Sequence, residues 1–211
     1  MEPLHYDMKE LRGMKRMSKI KLIAIIGRSA SGKDYLFRQT CISNPDLNKV
    51  IHYTTRPRRP GEVNGVDYIF IAEEELTNLS KEAKLFTTTC FNDWYYAIGI
   101  DSFDKNKINI GVFNPFEIVE LIEDYSDEFD IKIVEIYAEE AVRYTRSLKR
   151  LSKKPFDEEG LKEMCRRDRA DAIDFKMVEK IPHRILYGYE NHSEYNQAYM
   201  TALVEIWGNL D

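Results

Sequence analysis

Residues 20–34 read IKLIAIIGRSASGKD, and the order of residue types in this stretch decides the fold. The run KLIAII, Lys21 to Ile26, is short, apolar and rich in β-branched side chains; Gly27 follows at once, and then a helix-like stretch from Lys33 to Thr40. Strand, glycine turn and helix in that order open a parallel α/β sheet. Within it, Gly27 to Lys33 reads GRSASGK and fits GxxxxGK, placed where that motif must lie: after a predicted strand and opening a predicted helix. Successive backbone N–H groups of such a turn, backed by a helix N-terminus, surround phosphate oxygens, and Lys33 brings a point charge to the terminal phosphates. This predicts a nucleotide site on Gly27, Ser29, Ala30, Ser31, Gly32 and Lys33. Asp34 stands where such loops carry the Ser or Thr whose hydroxyl ligates magnesium. Its carboxylate is a hard oxygen ligand for the same ion, and without the ion it repels phosphates. A nucleotide with Mg2+ is therefore the expected ligand, with Asp34 the metal ligand and nucleotide binding steeply dependent on magnesium.

Two more βα units follow. Ile108 to Phe113 precedes an amphipathic segment with Ile118, Val119, Leu121 and Ile122, and Ile131 to Tyr137 precedes Glu139 to Leu151. Between the first and second units, Val50 to Ile98 has another texture: VDYIFI, LFTTTCF and WYYAI alternate as short strands joined by turns, the pattern of an inserted antiparallel lobe. Tyr195, Tyr199, Ala202, Leu203 and Ile206 predict a closing helix over Ser193 to Trp207.

The chain has 211 residues, 43% hydrophobic and 32% charged, with a net charge of −5. Those values predict one ordinary globular domain and argue against disorder or a disulfide scaffold. The longest aliphatic run, Leu22 to Ile26, is far short of the roughly 20 residues that cross a bilayer, so no membrane partner is expected. Cys41, Cys90 and Cys165 are widely spaced with no CxxC pair, as reduced thiols in a cytoplasmic protein would be. Residues 1–19 carry basic and acidic residues without an apolar stretch and read as a loose extension rather than a secretory signal. Mild acidity disfavours nucleic acid as a partner. Charge is nonetheless uneven: Arg143 to Arg169 holds ten Lys/Arg against five Asp/Glu, a local cluster suited to handling a polyanion.

Tyr53 to Phe70 reads YTTRPRRPGEVNGVDYIF and closely resembles guanylate kinase through Thr54, Thr55, Arg56, Arg59, Gly61, Glu62, Gly65, Asp67 and Tyr68; WYYAI resembles the family's Asn-Tyr-Tyr-Gly-Thr/Ser stretch through Tyr95 and Tyr96. The resemblance implies an α/β fold: a P-loop three-layer parallel sheet with an inserted antiparallel acceptor-binding lobe and a helical lid. On that basis residues 20–211 are the kinase-like domain, with core 20–49 and 99–211, lobe 50–98 and lid 143–169. It further implies that Arg56, Arg59, Tyr68 and Tyr96 grip the phosphate of a small-molecule acceptor such as GMP. Their chemistry agrees, since guanidinium forks bind phosphate bidentately and Pro57 and Pro60 stiffen the segment. His52 aligns beside that phosphate. Arg146 and Arg150 resemble the family's R-x-x-x-R pair at the start of its lid, and Arg166, Arg167 and Arg169 lie where a returning helix supplies another arginine. Lys33, Arg146, Arg150 and Arg166 are thus the expected catalytic groups, since phosphoryl transfer rests on positioning and on neutralising migrating charge. Lys153, Lys154 and Pro155 read as the lid's tip.

The base-reading positions differ. By the resemblance the guanine-binding glutamate falls on Thr87, the base-contacting hydroxyl on Ile98, and the paired aspartates near Val112 and Asn114. A threonine hydroxyl cannot accept both guanine N1–H and N2–H, and losing such a pair costs on the order of 1–3 kcal/mol in discrimination. Thr87 and Asn114 complete the expected acceptor site. The expected function is ATP-dependent phosphorylation of a nucleoside monophosphate, GMP or dGMP first. The alternatives are a sugar-phosphate kinase, since Lys33-Asp34 and Tyr95 to Gly99 also resemble ribose 1,5-bisphosphokinase, and a non-catalytic binding module of the same fold.

Overall fold

The computed structural model describes residues 19–59, 61–91, 93–152 and 158–208. The extension and the lid tip expected at Lys153, Lys154 and Pro155 lie outside the described residues, Lys19 excepted, as does Pro60.

The run Lys21 to Ile26 lies in β1 (Ile20–Ile26), the middle strand of a five-stranded parallel sheet. Its neighbours are β7 (Asn109–Val112) and β8 (Phe129–Tyr137), with β2 (Asn48–Lys49) beyond β7 and β9 (Arg184–Tyr187) beyond β8. Alternation along β1 feeds two cores. Leu22, Ala24 and Ile26 pack with Ile118 and Leu121 of α3 (Pro115–Asp124) and Phe175 and Val178 of α5 (Glu158–Val178). Ile23 and Ile25 turn the other way, onto Leu36 and Cys41 of α1 (Lys33–Ser43) and Met200 and Trp207 of α6 (Ser193–Gly208). A strand covered on both faces needs apolar side chains at every position, which explains the unbroken run. The result is three layers, helices on each side of the sheet. Strand order reverses at β1, and in open α/β sheets that reversal leaves a crevice at the strand's carboxyl end.

The inserted block forms its own four-stranded sheet in the order β4–β3–β6–β5, with β3 (Tyr53–Thr54), β4 (Ile69–Phe70), β5 (Leu85–Phe91) and β6 (Trp94–Gly99). β6 runs antiparallel to both β3 and β5, whereas β3 and β4 pair parallel, so the lobe departs from a purely antiparallel sheet. Only Ile69 and Phe70 of VDYIFI are strand; the preceding segment turns at Gly65, whose φ is 77°. Helix α2 (Glu73–Lys81) covers the sheet through Leu76, which packs with Tyr53 and Ala97.

Helix α4 (Glu140–Leu151) precedes the 21-residue α5, and the two are tied where Arg143 and Tyr144 meet Asp168 at 2.9 and 2.6 Å. All three cysteines are free thiols. Among the described residues no helix is long and apolar enough to cross a membrane.

Candidate active site

At the end of β1 the chain turns through Ala30 and Gly32 with φ of 62° and 109°, left-handed conformations that wrap a loop tightly enough to start α1 directly behind it. Glycine takes this conformation without strain; Ala30 pays a steric cost, as residues at anion-binding turns commonly do. The loop is braced from behind. Arg146 donates to the carbonyls of Ala30 at 3.2 Å, Ser31 at 3.0 Å and Gly188. Gly188, just past β9, presses so closely that a Cβ there would collide with the Ser31 carbonyl oxygen. At the loop's front, Ser29 donates its backbone N–H to Asp171 Oδ2 of α5 at 2.6 Å.

Gly27, Ser29 and Lys33 line a cleft of about 600 Å3, and Arg56, Arg59, Tyr68 and Tyr96 of the lobe line the same cleft. A volume of this order suits a nucleotide-sized ligand. Arg56 is 7% exposed and forks onto Glu62, with Nη1 and Nη2 at 3.1 and 2.8 Å from the two carboxylate oxygens. Its guanidinium also lies over the rings of Tyr68 and Phe70. Burial alone would weaken its charge, but the Glu62 carboxylate outweighs that and raises the pKa above the ordinary arginine value. Glu62 also accepts the Arg59 backbone N–H at 2.8 Å, so one carboxylate sets the geometry of both arginines. Tyr68 packs edge-on against Tyr96. Burial, reinforced by Tyr96 and Glu117, pushes the Tyr68 hydroxyl up to about 12, leaving it protonated and able to donate to an anion.

Several expected groups sit elsewhere. Arg146 has its donors committed to backbone carbonyls and acts on the loop from behind, not from the cleft. Arg150 is exposed on α4 and does not line the cleft. Arg166 pairs with Glu163 at 2.6 Å and stacks 3.9 Å from the Phe91 ring centroid, joining α5 to the lobe; its neighbour Arg167 is the one that reaches the cleft. Spacing along a helix cannot distinguish three nearby arginines; the position of Phe91 does. Asp34 is exposed in the first turn of α1, beside the loop. Thr87 is 2% exposed and off the cleft wall; Thr88 and Thr89 line the wall instead. Ile98 is wholly buried. Asn114 reaches the cleft, but its side-chain oxygen accepts the Glu117 N–H at 2.9 Å as the cap of α3. His52 lines the cleft. Sequence reasoning passed over Asp171, Gly188, Glu62 as an organiser of the arginines, and Glu117.

A phosphate loop at the carboxyl end of the central parallel strand, with arginines of an inserted sheet facing it across one cleft, defines the P-loop monophosphate kinase architecture. The guanylate kinase family model matches residues 19–107. Guanylate kinases of Rubrobacter xylanophilus and Thermosynechococcus vestitus are each 41% identical, over 68 and 76 residues, covering 32% and 36% of this chain and 36% and 40% of theirs. The guanylate kinase of Streptococcus agalactiae is 37% identical over 103 residues, 46% of this chain and 47% of its own. The chain therefore spans less than half the length of these curated relatives. The crystal structure of guanylate kinase from Anaplasma phagocytophilum superposes with a TM-score of 0.57 at 14% identity, covering 92% of this chain and 90% of that one. Residues 19–107 are thus similar in sequence to guanylate kinases, and nearly the whole chain shares the fold of one.

Proposed function

We propose that the protein transfers the terminal phosphoryl group of ATP to a nucleoside monophosphate, GMP or dGMP, giving GDP or dGDP. One observation carries this reading: the loop of Gly27, Ser29 and Lys33 and the grip of Arg56, Arg59, Tyr68 and Tyr96 open onto a single cleft. Two anion cradles facing each other are what an in-line transfer between two phosphates requires.

The loop amides and Lys33 hold the nucleotide's phosphates, and Arg146 keeps the loop in shape by binding its carbonyls. Arg56 and Arg59 hold the acceptor phosphate, whose oxygen is already a competent nucleophile, so no side chain need act as a base. Arg167 is the lid-side cation on the cleft wall that neutralises charge on the migrating group. A magnesium ion carried on the nucleotide would need only one or two carboxylates of the chain beside the phosphate oxygens, and Asp34 lies exposed next to the loop. Asp34 would be the chain's own ligand for it. Bound magnesium supplies charge neutralisation across the phosphates.

A second reading, transfer to a phosphorylated sugar, draws support from the burial of Thr87 and Ile98 at positions where the family reads its base. A coupled assay of ADP formation against a panel of monophosphates and ribose 1,5-bisphosphate separates the two, with Lys33→Ala as control. GMP-dependent ADP release that Lys33→Ala abolishes supports the proposal. Release with the sugar bisphosphate alone supports the second reading, and release with no acceptor in the panel sinks both.

A further inference from the structure

A second cavity, of about 800 Å3, opens at the amino ends of the parallel strands, the opposite end of the sheet from the phosphate loop. The length of β1, seven residues, puts roughly 20 Å between the two. The wall comes from the entries to β1 and β7, from the turn ahead of β7, and from the carboxyl ends of α1 and α6. Four lysines line it, Lys19, Lys21, Lys105 and Lys107, against one carboxylate, Asp46. In a chain of net charge −5 this is a local reversal of sign.

Part of that charge has a structural use. Lys21 Nζ donates to the Trp207 carbonyl at 3.0 Å, and a cation suits the carboxyl end of α6. Lys19 Nζ donates to the Ser126 carbonyl at 2.7 Å. Lys105 and Lys107 are different: both are exposed, and the turn that carries them is fixed by other side chains. Asp104 Oδ1 accepts the Asn106 N–H at 2.9 Å. Asn109, wholly buried, donates its side-chain amide to the carbonyls of Asp104, Lys107 and Lys21 at 2.9, 3.1 and 3.1 Å. Its side-chain oxygen accepts the Asp104 N–H at 2.8 Å and the Asn48 side chain at 2.7 Å. One buried amide thus ties the lysine-bearing turn to β1 at Lys21. Ammonium groups set around one hollow repel each other, and a backbone pinned in this way cannot move them apart; an anion in the hollow removes the repulsion.

We propose that this cavity is a second anion site and that it takes a linear polyphosphate, either inorganic or as the tail of a nucleotide. Lys105 and Lys107 bind the oxygens, with Lys19 at the rim. Lysine supplies compact point charges with rotatable donors, which suit phosphate oxygens spread along a chain. The volume exceeds what a single phosphate fills. Among the described residues the lining holds no aromatic side chain on which a base could stack, so the phosphoryl groups carry the recognition. The site shares no residue with the cleft and stands apart from the kinase reading.

Amide-resolved NMR of the whole chain, titrated with inorganic triphosphate in magnesium-free buffer at fixed ionic strength, tests the assignment, because the two sites report at different amides. The expected result is a saturable shift at residues 104–108, separate from any at residues 27–34 of the phosphate loop. Combining Lys105→Ala with Lys107→Ala weakens the first response tenfold or more and leaves the second within twofold of wild type. Both side chains are exposed, so the double variant keeps its melting temperature. Sulfate at the same ionic strength binds at residues 104–108 at least tenfold more weakly than triphosphate. A parallel titration with ATP separates the two sources: a response equal to that of triphosphate assigns the site to nucleotide tails as well, and a weaker one assigns it to free polyphosphate. Residues 104–108 that do not shift, that shift equally in the double variant, or that respond to sulfate as strongly as to triphosphate overturn the proposal and leave the kinase reading untouched.

Discussion

Asp171 of α5 reaches across to the phosphate loop and accepts the Ser29 backbone N–H on its Oδ2 at 2.6 Å. A carboxylate thereby sits on an amide at the mouth of an anion-binding turn. A nucleotide phosphate arriving at that turn meets both a competitor for the N–H and a like charge. Asp171→Asn is expected to tighten binding of a non-hydrolysable ATP analogue by about tenfold, or about 1.4 kcal/mol, as read by calorimetry. Unchanged or weaker binding would mean that the contact is not displaced by nucleotide.

Glu62 holds two cleft-lining arginines, Arg56 by its fork and Arg59 through the backbone. Glu62→Gln keeps the shape and removes the charge, so Arg56 loses its orientation. The expected change is a KM for the monophosphate raised by roughly tenfold with a KM for ATP within twofold of wild type, since hydrogen bonds to charged groups contribute about 1.5–3 kcal/mol. Equal changes in both constants would point to a general loosening of the fold.

Gly188 packs against the back of the phosphate loop, and its carbonyl takes one of the Arg146 hydrogen bonds. A methyl group has no room there. Gly188→Ala should lower stability by about 1–3 kcal/mol in denaturant melts, the usual cost of overpacking, and weaken ATP binding at the same time. A stable variant with normal ATP affinity would show that the loop does not depend on this brace.

The Glu163 carboxyl is held down to about 2 from its ordinary 4.5, first by hydrogen bonding to Arg166, with burial opposing and Arg167 adding to the effect. A depressed carboxylate pKa stabilises the fold fully above its unfolded value and ceases to do so as pH falls through the folded one. The contribution therefore drains away between about pH 4.5 and 2. Thermal melts of Glu163→Gln across that range should show a shallower loss than the wild type, because the variant has no such proton to take up. Parallel curves would assign the acid sensitivity to other groups.

The three-layer core was legible because β1 needs apolar residues on both faces, and GRSASGK can be placed only between that strand and α1. That Arg56 and Arg59 would face the cleft was legible from the TTRPRRPGEVNGVDY segment, whose charges and prolines mark a stiffened turn. What stayed hidden depends on contacts distant in sequence. Asp171 meets the loop 142 residues away, and Arg146 meets it from 115 residues away. No local pattern separates such an arginine from one that faces the cleft. Thr87 is a different case: counting along the chain puts it on β5, and only the fold shows it buried while Thr88 and Thr89 line the cleft. Helix α5 was only half anticipated, since its first residues are polar and its anchors, Phe175 and Val178, come near the end.

The central claim is that phosphate passes between the two cradles of one cleft, and phosphorus NMR of the protein with ATP, magnesium and GMP tests it most directly. The account predicts that the γ signal of ATP and the single GMP signal decline together while the α and β signals of two diphosphates grow, and that Lys33→Ala stops this. Free inorganic phosphate accumulating while the GMP signal stays constant, or a spectrum that does not change at all, would contradict it.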